Sequence, residues 1–233
     1  MNIAVIIPVL NEQEALPDLL HALMRLGFKE IIVVDGGSRD RTMEVARTMV
    51  ELFTDVHYRI MSGPTGRASQ MNAGAALASS DILLFLHADT HLPHNARQVV
   101  EQALDDQQCV GGRFDVRFPR DTGYAWMVSR LMNLRSRLSG ISTGDQTIFV
   151  RRSVFEQMGG FADIPLMEDI EFSHRLKSRG TIAALRDTVT TSFRRWEQHG
   201  PLRTILRMWT IRLLYWLGRD PRLLQHYYND TLR

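Results

Sequence analysis

The first ninety residues alternate between two hydrophobic periods. Ile3–Val9 is an unbroken apolar run, mostly β-branched, which suits a strand buried on both faces. Over residues 12–26 the positions Leu16, Leu19, Leu20 and Leu23 fall at helical spacing, and Gly27 supplies a stop. Residues 31–34 read as a second buried strand ending at Asp35, followed by a tight turn at Gly36-Gly37-Ser38. The pattern then predicts a helix over 40–52, a strand over 56–61, a small-residue helix over 69–78 and a strand over 82–86. That last strand stops at His87-Ala88-Asp89.

Strands alternating with helices predict an α/β fold. Its sheet is mainly parallel, with right-handed crossovers covering both faces. Ligands bind such sheets at the carboxyl ends of the strands. Asn11, Asp35 and Asp89 each follow a strand directly, so three polar residues are expected along one edge. The second half is less regular. It predicts strands over 110–118 and 147–150 and helices over 124–138, 153–158, 169–178 and 202–217. Boundaries place a main domain over 1–195 and a helical extension over 196–233.

Composition narrows the class without naming it. The chain has 233 residues, 44% hydrophobic and 23% charged, ordinary for one large globular domain. The one cysteine, Cys109, cannot form an internal disulfide, which suits a reducing cytoplasm. The run at 3–10 lacks a basic leader and contains Pro8, so it does not read as a signal peptide. No stretch of apolar residues is long enough to span a bilayer, and a soluble, cytoplasmic chain is expected. The net charge of +2 gives no reason to expect a nucleic-acid partner. Residues 194–233 nevertheless hold eight arginines against three acids, which fits either an anionic partner or a solvated helical face.

Several residues could carry chemistry, and each has a plainer reading. Asp35 could accept hydrogen bonds from a nucleobase or ribose, or cap its own turn. Asp89 could offer an oxygen to Mg²⁺ or Mn²⁺, whose coordination substrate phosphates usually complete, or cap a turn. His87 could be a second ligand or a satisfied polar neighbour. Glu168 and Asp169 open a helix, where acids suit the dipole, and either could be a general base. Arg67, Arg194 and Arg195 could grip phosphates by bidentate hydrogen bonds, or stand in solvent, and Asn72 joins the same group.

Four segments in order resemble the family-2 glycosyltransferases, an inverting group with the GT-A fold. They are Ile6-Ile7-Pro8-Val9-Leu10-Asn11-Glu12, the stretch from Val33 through Asp35 to Thr42, Leu84-Phe85-Leu86-His87-Ala88-Asp89-Thr90, and Gly159-Gly160-Phe161 with Glu168-Asp169. The resemblance covers roughly residues 1–180, and the chain looks nearest to a bacterial radical-SAM/selenodomain-associated subgroup. It implies that Pro8, Asn11 and Glu12 line a nucleotide pocket and that Asp35 binds the base, commonly uracil. Arg67 and Asn72 would lie near the ribose or diphosphate; Arg194 and Arg195, beyond the resembling stretch, are expected on the diphosphate from their side-chain chemistry alone. Asp89 would hold the divalent metal, and Asp169, or else Glu168, would deprotonate the acceptor.

Two departures matter. The family often carries Asp-x-Asp at the metal strand, and here His87 takes the first place. Processive relatives carry Gln-x-x-Arg-Trp, and here Ser192 stands where glutamine would precede Arg195-Trp196, which reads as non-processive. A nucleotidyltransferase is a rival, but its Gly-rich phosphate loop is missing at residues 9–12. A silent nucleotide-sugar binding module is a second rival, favoured only by His87. The apolar helix at 202–217 could pack on the main domain, on a second copy in a homodimer, or on an anionic membrane. Protein burial is the favoured placement, because Arg212 interrupts the apolar face.

Overall fold

The computed structural model describes residues 1–50 and 55–230. A few side chains, that of Arg195 among them, lie outside the description. In chain order the elements are β1 (Ile3–Val9), α1 (Leu16–Leu26), β2 (Glu30–Asp35), α2 (Thr42–Val50), β3 (His57–Ser62), α3 (Arg67–Leu77) and β4 (Ile82–Phe85). Then come β5 (Thr90–His91), α4 (Ala96–Ala103), β6 (Cys109–Arg117), α5 (Gly123–Ser139), β7 (Ile148–Arg151), α6 (Arg152–Gln157) and α7 (Glu168–Leu176). The chain continues through β8 (Thr181–Thr191), α8 (Arg194–His199), α9 (Pro201–Trp216) and α10 (Pro221–Asp230).

One eight-stranded sheet runs in the order β3-β2-β1-β4-β7-β6-β8-β5. The first four strands pair in parallel, as the alternating pattern requires, and β7 inserts antiparallel between β4 and β6. The unbroken apolar run of β1 has a simple cause. Ile3, Val5, Ile7 and Val9 feed one core with α1, while Ala4 and Ile6 feed the other with α3. The small residues of α3 let it lie close to the sheet, and a Cβ on Gly74 would stand 2.5 Å from Cγ2 of Ile6.

At the edge opposite the ligand loops, Glu30 is buried at the start of β2. Its carboxylate accepts from the backbone N–H of Ser79 at 2.9 Å and of Ser80 at 2.9 Å, and from both hydroxyls. Burial alone would raise its pKa, but the serine hydroxyl and amide donors outweigh burial and hold it below the usual range. The ionised form is therefore the one that folding favours. Its contribution is present above the ordinary carboxylate pKa and is lost as pH falls through the folded value. Glu30→Gln is expected to cost about 2 kcal/mol near neutral pH. Chemical denaturation should show the gap between variant and wild type closing in acid.

The structure extends the sequence reading in three places. α1 begins at Leu16 rather than residue 12, because 12–15 are spent in a loop tied to the next crossover. α4 and α10, although amphipathic, and the long strand β8, which carries no clear period, were not expected from the pattern. The last two residues of the helix expected over 40–52 lie outside the described residues. The helix expected over 202–217 forms as α9, but it is not wholly buried. Ile211 joins Met167 and Leu224 in a small core, while Leu206, Trp209, Leu213 and Trp216 face outward. Among the described residues no helix is long and apolar enough to cross a membrane.

Candidate active site

The loops after β1 and β2 are stitched into one surface. Asn11, held at φ 57°, donates its N–H to Oγ of Ser38 at 2.9 Å and accepts from the N–H of Arg39 at 2.8 Å. Glu12 N–H donates to Thr42 Oγ1 at 2.8 Å. Asp35, only 4% exposed, accepts from the N–H of Gly37 and of Ser38 at 3.0 and 3.1 Å, closing its own turn. Beneath both loops the buried Gln70 donates to the carbonyls of Val9 and Val34 at 2.9 and 2.8 Å. The strand ends are thereby fixed relative to each other before any ligand arrives.

Across the sheet, the end of β4 presents His87 and Asp89 beside Glu12. Burial, then the charge of Asp89, pushes the Glu12 carboxyl upward, while Arg194 and His87 pull it back. The imidazole of His87 packs on Gly144, where a Cβ would come within 2.5 Å of Cε1. Its Nδ1 stands 3.6 Å from Oδ1 of Asp145. The histidine in the first place of the His-x-Asp motif is thus turned to the 143–146 turn.

That turn also orients the facing carboxylate. Asp169, at the start of α7, accepts from Gly144 N–H at 2.8 Å through Oδ2, and from Ile170 N–H at 2.8 Å through Oδ1. Its neighbour Glu168 is 3% exposed, with Oε1 3.4 Å from a guanidinium nitrogen of Arg67. Burial and the adjacent Asp169 raise the Glu168 pKa, and Arg67 opposes them. Among the described residues, three that are not glycine have positive φ: Asn11, Thr147 and Met167. Each neighbours this site, and a β-branched threonine there is held only by surrounding structure.

Together these elements wall a cleft of about 1760 Å³. Pro8, Glu12, Arg67, Asp89, Glu168, Asp169 and Arg194 line it, so seven of the residues singled out in the sequence meet at one place. Asn11 and Asp35 lie just behind the wall, in the stitched loops. Asn72 is also set back, its amide bonded to the Phe161 N–H and carbonyl at 2.9 and 2.8 Å, bracing the 159–161 turn. The Arg195 side chain lies outside the described residues, and Trp196 packs on Phe193 and Phe118. Sequence reasoning did not assign Asp145, Arg135 or Arg212 to the site, and all three line the same cleft.

Among the described residues no three His, Cys, Asp or Glu side chains converge to hold an ion by themselves. The partly exposed Asp89 with Glu12 beside it still fits a Mg²⁺-like ion, which protein carboxylates hold one or two at a time with substrate phosphates completing the shell.

A twisted sheet with an acid-lined cleft at its strand ends, closed by an antiparallel extension, is the architecture of the GT-A glycosyltransferases. The model of "Glycosyl transferase family 2" matches residues 4–159, and the chain belongs to that family. An undecaprenyl-phosphate 4-deoxy-4-formamido-L-arabinose transferase of Pseudomonas paraeruginosa is 34% identical over 167 residues, covering 67% of this chain and 49% of its own length. A 4,4'-diaponeurosporenoate glycosyltransferase of Staphylococcus haemolyticus is 39% identical over 114 residues, covering 47% of this chain and 30% of its own. The chain spans about half the length, or less, of these curated relatives. The fold agrees with the mannosyltransferase PcManGT of Pyrobaculum calidifontis, solved with GDP-Man and Mn²⁺. There the TM-score is 0.69 at 19% identity, over 91% of this chain and 60% of that one.

Proposed function

We propose that this chain transfers a sugar from a nucleotide-sugar donor to an acceptor hydroxyl, metal-assisted and with inversion at the anomeric carbon, one sugar per encounter. One observation carries the reading: Asp89 and Glu12 stand at the strand ends, and Asp169 faces them from α7 in the same cleft. Sharing of one cleft by these acids supports a metal-binding carboxylate and a base acting on the same bound sugar. Solved neighbours hold UDP, UDP-GlcNAc and GDP-Man, which supports a nucleotide donor, and UDP is the favoured one.

In this reading Pro8, Asn11, Glu12 and Asp35 shape the nucleotide pocket, with Arg67 and Asn72 beside it. Arg194, with Arg195 by sequence, meets the diphosphate. A divalent cation held at Asp89 would supply positive charge to the departing diphosphate. Asp169 is the base, because it is the more open of the two acids while Glu168 is buried against Arg67. The proton of the acceptor hydroxyl passes to an Asp169 oxygen as the new bond to the anomeric carbon forms. The bond to the diphosphate breaks with its electron pair on that leaving group. Holding both partners in line contributes most of the rate.

The motif resemblance further supports the radical-SAM/selenodomain-associated subgroup. Relatives named for an undecaprenyl-phosphate substrate support work at the cytoplasmic face of a membrane, where the outward side of α9 would meet lipid or a second copy.

A thermal-shift series of UDP- and GDP-sugars with Mn²⁺ or with EDTA tests the reading. A metal-dependent rise in melting temperature is expected for at least one donor, since ligands that bind only the folded state stabilise it. No shift with any donor in either condition contradicts it. Asp35→Ala should weaken nucleoside diphosphate binding about tenfold, by losing the turn that Gly37 and Ser38 complete. Titration calorimetry giving an unchanged dissociation constant would remove Asp35 from the site.

A further inference from the structure

Two neighbouring arginines stand in the cleft within the field of Asp169 and Asp145. Arg135 comes from the end of α5 and Arg212 from the middle of α9, and both line the cavity that holds Asp169. Among the described residues neither makes an ion pair. Arg135 donates one long hydrogen bond, 3.4 Å, to the carbonyl of Ile141. Its Nη2 and the Nε of Arg212 are shut off from solvent without any hydrogen-bond partner. A buried N–H of a charged group left unpaired costs more than a neutral one. Burial pushes Arg135 down to about 10, and the charge of Arg212 adds to the fall. Arg212 is likewise pushed down by burial. Two neighbouring cations held this way are a binding surface awaiting negative charge.

What surrounds them specifies more. Leu131, Leu134 and Leu138 recur at helical spacing along α5, and Trp209 stands on α9. All four line the same cleft, with exposures of 52%, 53%, 79% and 63%. The cavity thus has apolar lips over a cationic floor. The charges acting on the floor are Asp169 and Asp145, so it lies on the side of the acceptor base rather than beside Glu12.

We propose that Arg135 and Arg212 form an anion subsite for the acceptor. The acceptor is an amphiphile whose head carries a phosphate-like group near the hydroxyl that attacks, with its chain lying across the lips formed by α5 and α9. This inference rests on the glycosyl-transfer reading of the cleft. The anionic group is a handle, not the nucleophile. It is gripped by the guanidinium forks, while the hydroxyl proton still goes to Asp169.

The test is titration of the full chain with octyl phosphate, inorganic phosphate and octanol, each with and without UDP and Mn²⁺. Octyl phosphate is expected to bind at least about tenfold more tightly than either of the others, since head and chain both contribute. Arg135→Gln and Arg212→Gln should each weaken octyl phosphate about tenfold or more and leave UDP–Mn²⁺ affinity unchanged. Both variants should melt no lower than wild type, because each removes an unpaired, partly buried charge. If a glutamine variant does not fold, Arg→Lys at the same position keeps the charge but not the fork and should show a smaller loss.

Inorganic phosphate binding as well as octyl phosphate, with both lost in the variants, would support the anion subsite and assign it to a small water-soluble acceptor. Variants that bind octyl phosphate like wild type would overturn the proposal. So would variants whose UDP–Mn²⁺ affinity falls in step, since the arginines would then serve the donor diphosphate. A wild type that binds UDP–Mn²⁺ but neither phosphate probe overturns this inference alone, whereas one that binds no nucleoside diphosphate removes the transferase reading beneath it.

Discussion

Asp169→Asn is expected to lower turnover by about a thousandfold while leaving nucleoside diphosphate affinity within twofold of wild type. A positioned general base typically contributes two to four powers of ten. The substitution isolates that role. Asparagine keeps the shape and one acceptor oxygen, which can still serve Gly144 N–H, now at 2.8 Å from Oδ2, so the 143–146 turn keeps its anchor while Ile170 N–H loses its side-chain acceptor. What it cannot do is carry a proton away from the acceptor. Steady-state kinetics beside nucleotide titration read the two quantities separately. Glu168→Gln should behave differently: it removes the charge facing Arg67, so its effect includes donor binding and stability. If Glu168→Gln instead gives the pure turnover loss and Asp169→Asn does not, the two acids exchange roles.

Asp89→Ala is the second large effect. Nucleoside diphosphate binding in the presence of Mn²⁺ is expected to fall by at least about 100-fold, more than the loss typical of a supporting residue around a metal. Metal-free binding should barely change. The fold should survive, because Asp89 is partly exposed and, among the described residues, accepts one long hydrogen bond, 3.4 Å, from the hydroxyl of Thr90. Removing it also relieves Glu12, whose carboxyl the charge of Asp89 pushes upward. Full metal stimulation in the variant would take the ion away from Asp89.

How much of this was legible in the chain follows from what each residue does. β1, β2 and β4 could be read because central parallel strands are covered on both faces and appear as unbroken apolar runs. Their carboxyl ends could be read because loops leave the sheet there with polar residues such as Asn11 and Asp89. β8 could not. It mixes Arg186 and Asp187 with partly exposed threonines, and it is a strand because β6 and β5 pair with it, not because of its own pattern. Asn72 illustrates another limit. In the sequence it reads as a ribose or phosphate contact, but only the fold shows both of its polar ends on the backbone of Phe161. Arg212 is the converse. In the sequence it interrupts an apolar helix, and only the packing of α9 beside α5 turns it into the cleft next to Arg135. A lone cation in so apolar a helix was the signal available.

The most direct measurement follows donor hydrolysis by proton NMR, with water in place of the acceptor. The full chain is incubated with an α-linked nucleotide-sugar found by the binding series, with Mn²⁺ and then with EDTA. Metal-dependent release of nucleoside diphosphate is expected, with the β anomer of the free sugar appearing first, before mutarotation mixes the two. Release of the α anomer first would exclude a single displacement with inversion. No release from any donor that binds, with metal present, would contradict sugar transfer at this cleft.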